Sequence, residues 1–221
     1  FSNLKTTGYN GRSITGRTIF ALAHKNGFVP TATAQRIFNT NKGEHLTTMF
    51  ERLNVDLNDV LGKYIVAPTG TGKTALAAKI STLPGRKVVL IVPGIAQIKQ
   101  IAKREGATPF FRGVRDIPKE CRFVVTTIQS FNSAFGTRVN IKEWSVIFDE
   151  AHGFTTDANT AYKLSHFREF LRLRESLNFE VTYLTGTDIY NFNPYFEGLE
   201  RWEVLQPGRA EKALYIQRCT N

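Results

Sequence analysis

From Lys63 onward, short apolar runs recur, each followed by a small or polar joint and then by apolar positions three or four apart. The runs are "KYIVAP" (63–68), "KVVLIV" (87–92), "RFVVTTI" (122–128), "WSVIFD" (144–149) and "EVTYLT" (180–185). They are continuous rather than alternating and rich in β-branched residues, which predicts strands covered on both faces. The intervening stretches predict helices over 73–80, 95–105, roughly 129–136 and 157–177. The last of these places Ala161, Leu164, Phe167, Phe170 and Leu171 on its inward side. Strands alternating with helices predict an α/β lobe built on a parallel sheet, over residues 63–221.

Residues 1–62 have a different texture and are expected to form a small helical N-terminal extension. "TGRTIFALAHKNG" sets Ile19, Leu22 and Ala23 at helical spacing, with Gly27 as a stop. Pro30 blocks continuation, and Thr31 can cap a helix over "ATAQRIF". "EHLTTMFERL" puts Leu46, Met49, Phe50 and Leu53 on one face, and Asp56 can cap a short piece, "LNDVL". The turn before "TATAQRIF" invites a helix-turn-helix reading, with Arg12, Arg17, Lys25 and Arg36 as phosphate contacts. The plainer alternative is a set of short helices with these cations solvated.

Charge sharpens the picture. Lys and Arg number 29 against 19 Asp and Glu, a net charge of +10 over 221 residues. That balance favours a polyanionic partner, because cations release counterions from a phosphate backbone. No apolar run approaches the roughly 18 residues that span a bilayer, and the start lacks the apolar stretch of a secretory signal. An intracellular protein associated with nucleic acid, not a membrane protein, is expected. Cys121 and Cys219 match no metal-ligand spacing and read as reduced thiols.

The most informative joint is "APTGTGKT" (67–74), between a predicted strand and a predicted helix. Gly70 and Gly72 permit backbone angles other residues resist and let N–H groups approach an anion. The following helix presents its unpaired N–H groups and positive dipole end at the same place. Thr69, Gly70, Thr71, Gly72, Lys73 and Thr74 thus form a candidate phosphate cradle. Lys73 would reach the β and γ phosphates, and the Thr74 hydroxyl suits Mg²⁺. The alternative is a tight turn with a surface lysine.

The second informative joint is "WSVIFDEAH" (144–152), where a strand ends in Asp149 and Glu150. A metal-bound triphosphate needs an acidic group to hold Mg²⁺ and a base to orient the attacking water. Asp149 suits the first task and Glu150 the second. An exposed acidic turn is the bland reading, and the phosphate loop upstream disfavours it.

Together "APTGTGKT", "DEAH" and "YLTGTD" resemble, in order and spacing, motifs I, II and III of superfamily 2 DEAD/DEAH-box-type helicases and translocases. The likeness spans about residues 63–190. It implies a P-loop NTPase of RecA-like fold, ATP and Mg²⁺ as cofactors, and remodelling of DNA or RNA, DNA being favoured here. It also implies that His152 bridges the nucleotide site to motif III. Thr185 and Thr187 take the positions that couple hydrolysis to nucleic acid, with Gly186 where alanine is common. Ala67 replaces the usual opening glycine of motif I. "VPGIAQIKQ" (92–100) resembles motif Ia through Pro93 and Gln100, while Ile95 and Gln97 depart from it. "VTTIQSF" (125–131) resembles the segment near motif Ib, where Thr126, Thr127 and Gln129 would meet a sugar-phosphate backbone. Gln35 lies too far upstream of Lys73 for the family's adenine-reading glutamine. "KREGATPFFRGVR" (103–115) sets Phe110 and Phe111 among Lys103, Arg104, Arg112 and Arg115, which suits stacking plus charge on a single strand or a loop anchored to the core.

Motors of this family use a second RecA-like lobe that supplies arginine fingers, worth several powers of ten in rate. The chain leaves no room for it, so a second lobe is expected in cis beyond residue 221 or in trans. Two rival readings are a nucleic-acid-binding scaffold with little ATP turnover and a small-substrate kinase. The absence of a recognisable lid or acceptor site disfavours the kinase.

Overall fold

The apolar runs become strands of one sheet in the computed structural model, which describes residues 35–112, 116–135, 138–153, 161–190, 194–196 and 198–207. In chain order the elements are β1 (Gln35–Asn39), α1 (Leu46–Arg52), β2 (Tyr64–Val66), α2 (Lys73–Ser81), β3 (Val88–Ile91) and α3 (Ile95–Glu105). They continue with β4 (Thr108–Phe110), β5 (Phe123–Thr126), α4 (Ile128–Phe135), β6 (Ser145–Phe148), α5 (Ala161–Leu177), β7 (Val181–Thr185) and β8 (Arg201–Leu205). The sheet has eight strands in the order β1-β8-β2-β7-β6-β3-β5-β4, and every pairing is parallel.

Parallel strands are joined by crossovers, so both faces of the sheet acquire helices and both must be apolar. The pleat divides the side chains by alternation. Val89 and Ile91 of β3, with Val146 and Phe148 of β6, join the core under α4 and α5. Val88, Leu90 and Ile147 join the opposite core, under α1, α2 and α3. The first core is aromatic: Phe131 stacks on Phe135 at 4.8 Å, and Phe170 meets Phe148 edge-on at 5.4 Å. Phe167, Phe170 and Leu171 of α5 are buried there as their helical spacing predicts.

Residues 35–38, the described part of the helix expected over 32–38, are not helical, and the helix-turn-helix reading that used that helix falls with it. Gln35–Asn39 is a strand paired in register with Arg201–Leu205. Phe38 and Thr40 are buried while Ile37 is 54% exposed, the two-residue period of a half-buried strand. The decisive partner is Trp202, whose ring lies 5.1 Å from Phe38 and 5.9 Å from Phe50 of α1. Arg36 lies over the same indole at 5.5 Å, a cation–π contact rather than a helix-borne phosphate contact. The described part of residues 1–62 therefore adds a strand and a helix to the same layered unit. Thr31, Arg12, Arg17 and Lys25 lie outside the described residues.

Leu46, Met49 and Phe50 of α1 are buried as expected, but Leu53 is 40% exposed. Asp56 caps no helix; its Oδ1 accepts from the Asn58 N–H at 2.8 Å in a turn. Besides β1, two strands escaped the sequence pattern, β4 and β8. What matters for the site is that β2, β7 and β6 are neighbours. Their carboxyl ends deliver the glycine loop, the "YLTGTD" segment and the acidic pair to one edge, where ligands of open α/β sheets settle.

Candidate nucleotide-binding site

The loop leaving β2 is fixed before it turns. The Ala67 N–H donates to the Thr185 carbonyl at 2.9 Å, continuing the β2–β7 ladder by one bond. The Thr71 hydroxyl donates to the Pro68 carbonyl at 2.7 Å, and the Leu46 N–H of α1 donates to the Thr71 carbonyl at 2.8 Å. Gly70 and Gly72 have φ of 85° and 83°, in the region glycine tolerates best. At Gly72 space is short as well: a Cβ there would lie 3.2 Å from Nδ1 of His45.

Gly72 is the N-cap of α2, and no side chain caps that end. The first-turn N–H groups therefore face the loop with the positive end of the helix dipole behind them. Lys73 is buried, and its ammonium donates to the carbonyls of Ala67 at 3.1 Å and Pro68 at 3.4 Å. Thr69 and Gly70 are exposed at the tip, and Thr74 is half-buried on the first turn.

Asp149 follows β6 and is 7% exposed. Burial, reinforced by the adjacent Glu150 carboxylate, pushes its pKa up to about 6, against the pull of Lys73, the Glu150 N–H and His152. That pull means Lys73 and Asp149 share one electrostatic neighbourhood. Glu150 sits at φ 54°, an uncommon angle for a non-glycine residue. Its N–H donates to Asp149 Oδ1 at 3.0 Å, and its Oε2 lies 3.1 Å from His152 Nδ1.

His152 also reaches β7: its Nδ1 is 3.5 Å from the Thr185 hydroxyl. That hydroxyl, fully buried, donates to the Thr187 carbonyl at 2.8 Å and accepts from the Thr187 N–H at 3.1 Å. Gly186, between them, faces the glycine loop. A Cβ there would lie 3.4 Å from the Thr69 hydroxyl and 3.7 Å from the Lys73 ammonium.

Residues 44–176, more than half of the chain, match the family described as "Type III restriction enzyme, res subunit". The chain belongs to that family. This res-subunit-type chain is a RecA-like lobe of superfamily 2. Among solved structures it is similar to a DEAD box protein from the hyperthermophile Methanococcus jannaschii, at 18% identity and a TM-score of 0.50. That match covers 75% of this chain and 54% of the other. It is also similar to the Pyrococcus furiosus Hef helicase domain, at 21% identity, TM-score 0.48, and 75% and 39% coverage. The UvsW helicase from bacteriophage T4 matches at 15% identity, TM-score 0.44, and 92% and 82% coverage. The res-subunit chain thus spans 39% of the Hef domain and 54% of the archaeal DEAD box protein. No curated protein matches its sequence. Among the described residues no helix is long and apolar enough to cross a membrane.

The other candidate residues of the res-subunit lobe lie apart from this cluster. Pro93 is exposed just beyond β3, and Gln100 is exposed on α3. Thr126 ends β5, fully buried, and its hydroxyl donates to the Thr127 carbonyl at 3.3 Å. The Thr127 hydroxyl accepts from the Ser130 N–H at 3.4 Å at the start of α4. Pro93, Thr126 and Thr127 sit at the carboxyl ends of β3 and β5, which β6 and β7 separate from β2, while Gln100 lies midway along α3. Gln35 lies on edge strand β1. Sequence reasoning missed His45 and Leu46, which brace the loop from α1. The helical pattern placed Leu46 on a buried face, but only spatial approach reveals that its N–H holds the Thr71 carbonyl and that the His45 ring lies against Gly72.

Proposed function

We propose that the chain is the ATP-binding half of an ATP-dependent nucleic-acid helicase or translocase. The observation that carries this reading is the convergence, at adjacent strand ends, of an uncapped helix N-terminus, Lys73, and the Asp149–Glu150 pair. The residues fit the groups they would hold. The N–H groups from Gly70 to Thr74 suit phosphate oxygens, and Lys73 would exchange the Ala67 and Pro68 carbonyls for the β and γ phosphates. Thr74 and Asp149 would hold Mg²⁺. Among the described residues no cluster of three or more His, Cys, Asp or Glu could hold a metal by itself. Phosphate oxygens would therefore complete the shell, as Mg²⁺ usually requires.

Glu150 would orient the attacking water and take its proton, with His152 fixing the carboxylate. Thr185, bonded to both His152 and the Thr187 backbone, would pass a change at the γ-phosphate to the segment after β7. Gly186 against Thr69 and Lys73 is the place where that segment touches the loop. A second lobe, in cis or in trans, would contribute the cations that stabilise the transition state. The partner is nucleic acid, DNA favoured, consistent with the +10 charge.

The test is ATP hydrolysis with and without single-stranded DNA or RNA, on this chain joined to its second lobe. Nucleic acid should stimulate turnover, and Lys73→Ala should abolish it and weaken nucleotide binding at least tenfold. A chain that binds nucleic acid but whose turnover ignores both Lys73→Ala and the oligonucleotide would be a scaffold. Phosphorylation of a nucleoside with no nucleic-acid effect would make it a kinase.

A further inference from the structure

The described residues hold a cavity remote from the glycine loop and sharing no residue with it. It has a volume of about 410 Å³ and lies where the end of β4 meets α4 and α5. Phe111 and Ile117 give it apolar walls, and both are only half-buried. The polar side is contributed by Gln129, Ser130 and Ser133 of α4 and by His166 of α5. The Gln129 amide nitrogen lies 3.1 Å from His166 Nε2, tying the two helices together at the cavity wall. The wall is held from behind as well: Asn132 donates to the His166 carbonyl at 2.9 Å and to Glu169 Oε2 at 3.2 Å.

Two exposed guanidinium groups, Arg112 and Arg138, stand at the rim, and among the described residues no Asp or Glu lines the cavity. Neither arginine forms an ion pair among the described residues. The Arg138 backbone is fixed, its N–H donating to the Ala134 carbonyl at 2.8 Å just past α4. Three features therefore meet. A partly apolar slot lies at the lower end of the volumes that enclose a small ligand, roughly 300–1,000 Å³. One edge carries hydrogen-bonding amide, hydroxyl and imidazole groups. The mouth is cationic, and no carboxylate lines it among the described residues.

We propose that this cavity takes one unstacked base of a single-stranded nucleic acid, with Arg112 and Arg138 on the phosphates flanking that nucleotide. A base offers a π-face to Phe111 and a hydrogen-bonding edge to the α4–α5 wall, while its sugar-phosphate stays at the mouth. The placement suits a threaded strand: Gln129 lies in the first turn of α4, beside Thr127. A strand crossing the Thr126–Thr127 corner would reach the slot within a few nucleotides. The proposal rests on the reading of the chain as a nucleic-acid motor and adds to it a base-accepting subsite. Such a site would give the lobe a grip on bases as well as on backbone.

The test is fluorescence anisotropy of this chain with a labelled thymidine 12-mer, the same backbone stripped of bases, and a uridine 12-mer to separate DNA from RNA. Removing the bases should weaken binding by about tenfold, within the range of one aromatic stack. Phe111→Leu should bind the two DNA probes nearly alike. Arg138→Gln should weaken both equally and lower the salt slope by about 0.7, the loss of one phosphate contact. Affinity for a fluorescent ATP analogue should be unchanged in both variants, showing the fold intact. If Phe111→Leu fails to fold, Ser133→Trp, made at an exposed position of α4, fills the slot and should likewise erase the base preference. An undiminished preference in the folded Phe111 and Ser133 variants would overturn the subsite while leaving the motor reading standing. No binding of any 12-mer by the unsubstituted chain would overturn both.

Discussion

Asp149 shows how a single buried carboxylate can weaken a fold. Its pKa rises from 3.8 to about 6 because burial and Glu150 penalise the carboxylate. The folded chain therefore holds that proton more tightly than the unfolded chain. Its stability contribution is intact below about pH 4 and is lost as pH rises through 6, a difference of roughly 3 kcal/mol at neutrality. Asp149→Asn, which keeps an acceptor for the Glu150 N–H, is expected to raise the stability of the nucleotide-free chain at pH 7 by roughly 2 kcal/mol. Thermal melts should show a gain of several degrees at pH 7 that shrinks toward pH 4. Magnesium-dependent nucleotide binding should be lost in the same variant. A variant that melts below its parent at pH 7 would refute the account. The glycines divide in a similar way. Gly186→Ala places a methyl at ordinary contact distance from Thr69 and should leave stability and nucleotide affinity within about twofold. Gly72→Ala forces a φ of 83° and a Cβ 3.2 Å from His45, and should cost about 1–2 kcal/mol by urea unfolding.

At the level of elements, the five apolar runs of the sequence all became strands, and α3 spans residues 95–105 as its spacing predicts. These elements were legible because each carries its own signal: β-branched continuity for strands buried on both faces, and a glycine at Gly106 to end α3. β1 was not legible. "QRIFN" alternates over too few residues to outweigh the upstream proline and threonine that resemble a helix start. What makes it a strand is Trp202, a partner near the other end of the chain. Trp202 is 1% exposed and touches both Phe38 of β1 and Phe50 of α1. Trp202→Ala is therefore expected to cost about 3–5 kcal/mol. Hydrogen exchange should locate the loss first in β1, which among the described residues pairs with β8 alone. Uniform destabilisation across the sheet would argue against this role for Trp202.

On the scale of the whole molecule, topology creates the candidate site. β2, β7 and β6 come from distant parts of the chain, yet their neighbouring ends bring the glycine loop, the "YLTGTD" segment and the acidic pair together. Under the proposed function, the same arrangement would leave the γ-phosphate side for another surface to close. The chain alone should thus turn over ATP slowly, and joining a second lobe should raise the rate by about a thousandfold or more, measured as steady-state phosphate release.

The sequence by itself determined the parallel α/β architecture, the glycine loop between β2 and α2, and the acidic strand end. Each is a local pattern whose chemistry depends on neighbours a few residues away. Only the tertiary structure decided that residues 35–39 join the sheet, that His45 and Leu46 brace the loop, and that Gly186 meets Thr69 and Lys73. Those contacts link segments far apart in the chain, and their formation depends on which buried surfaces fit together rather than on any periodicity along the backbone.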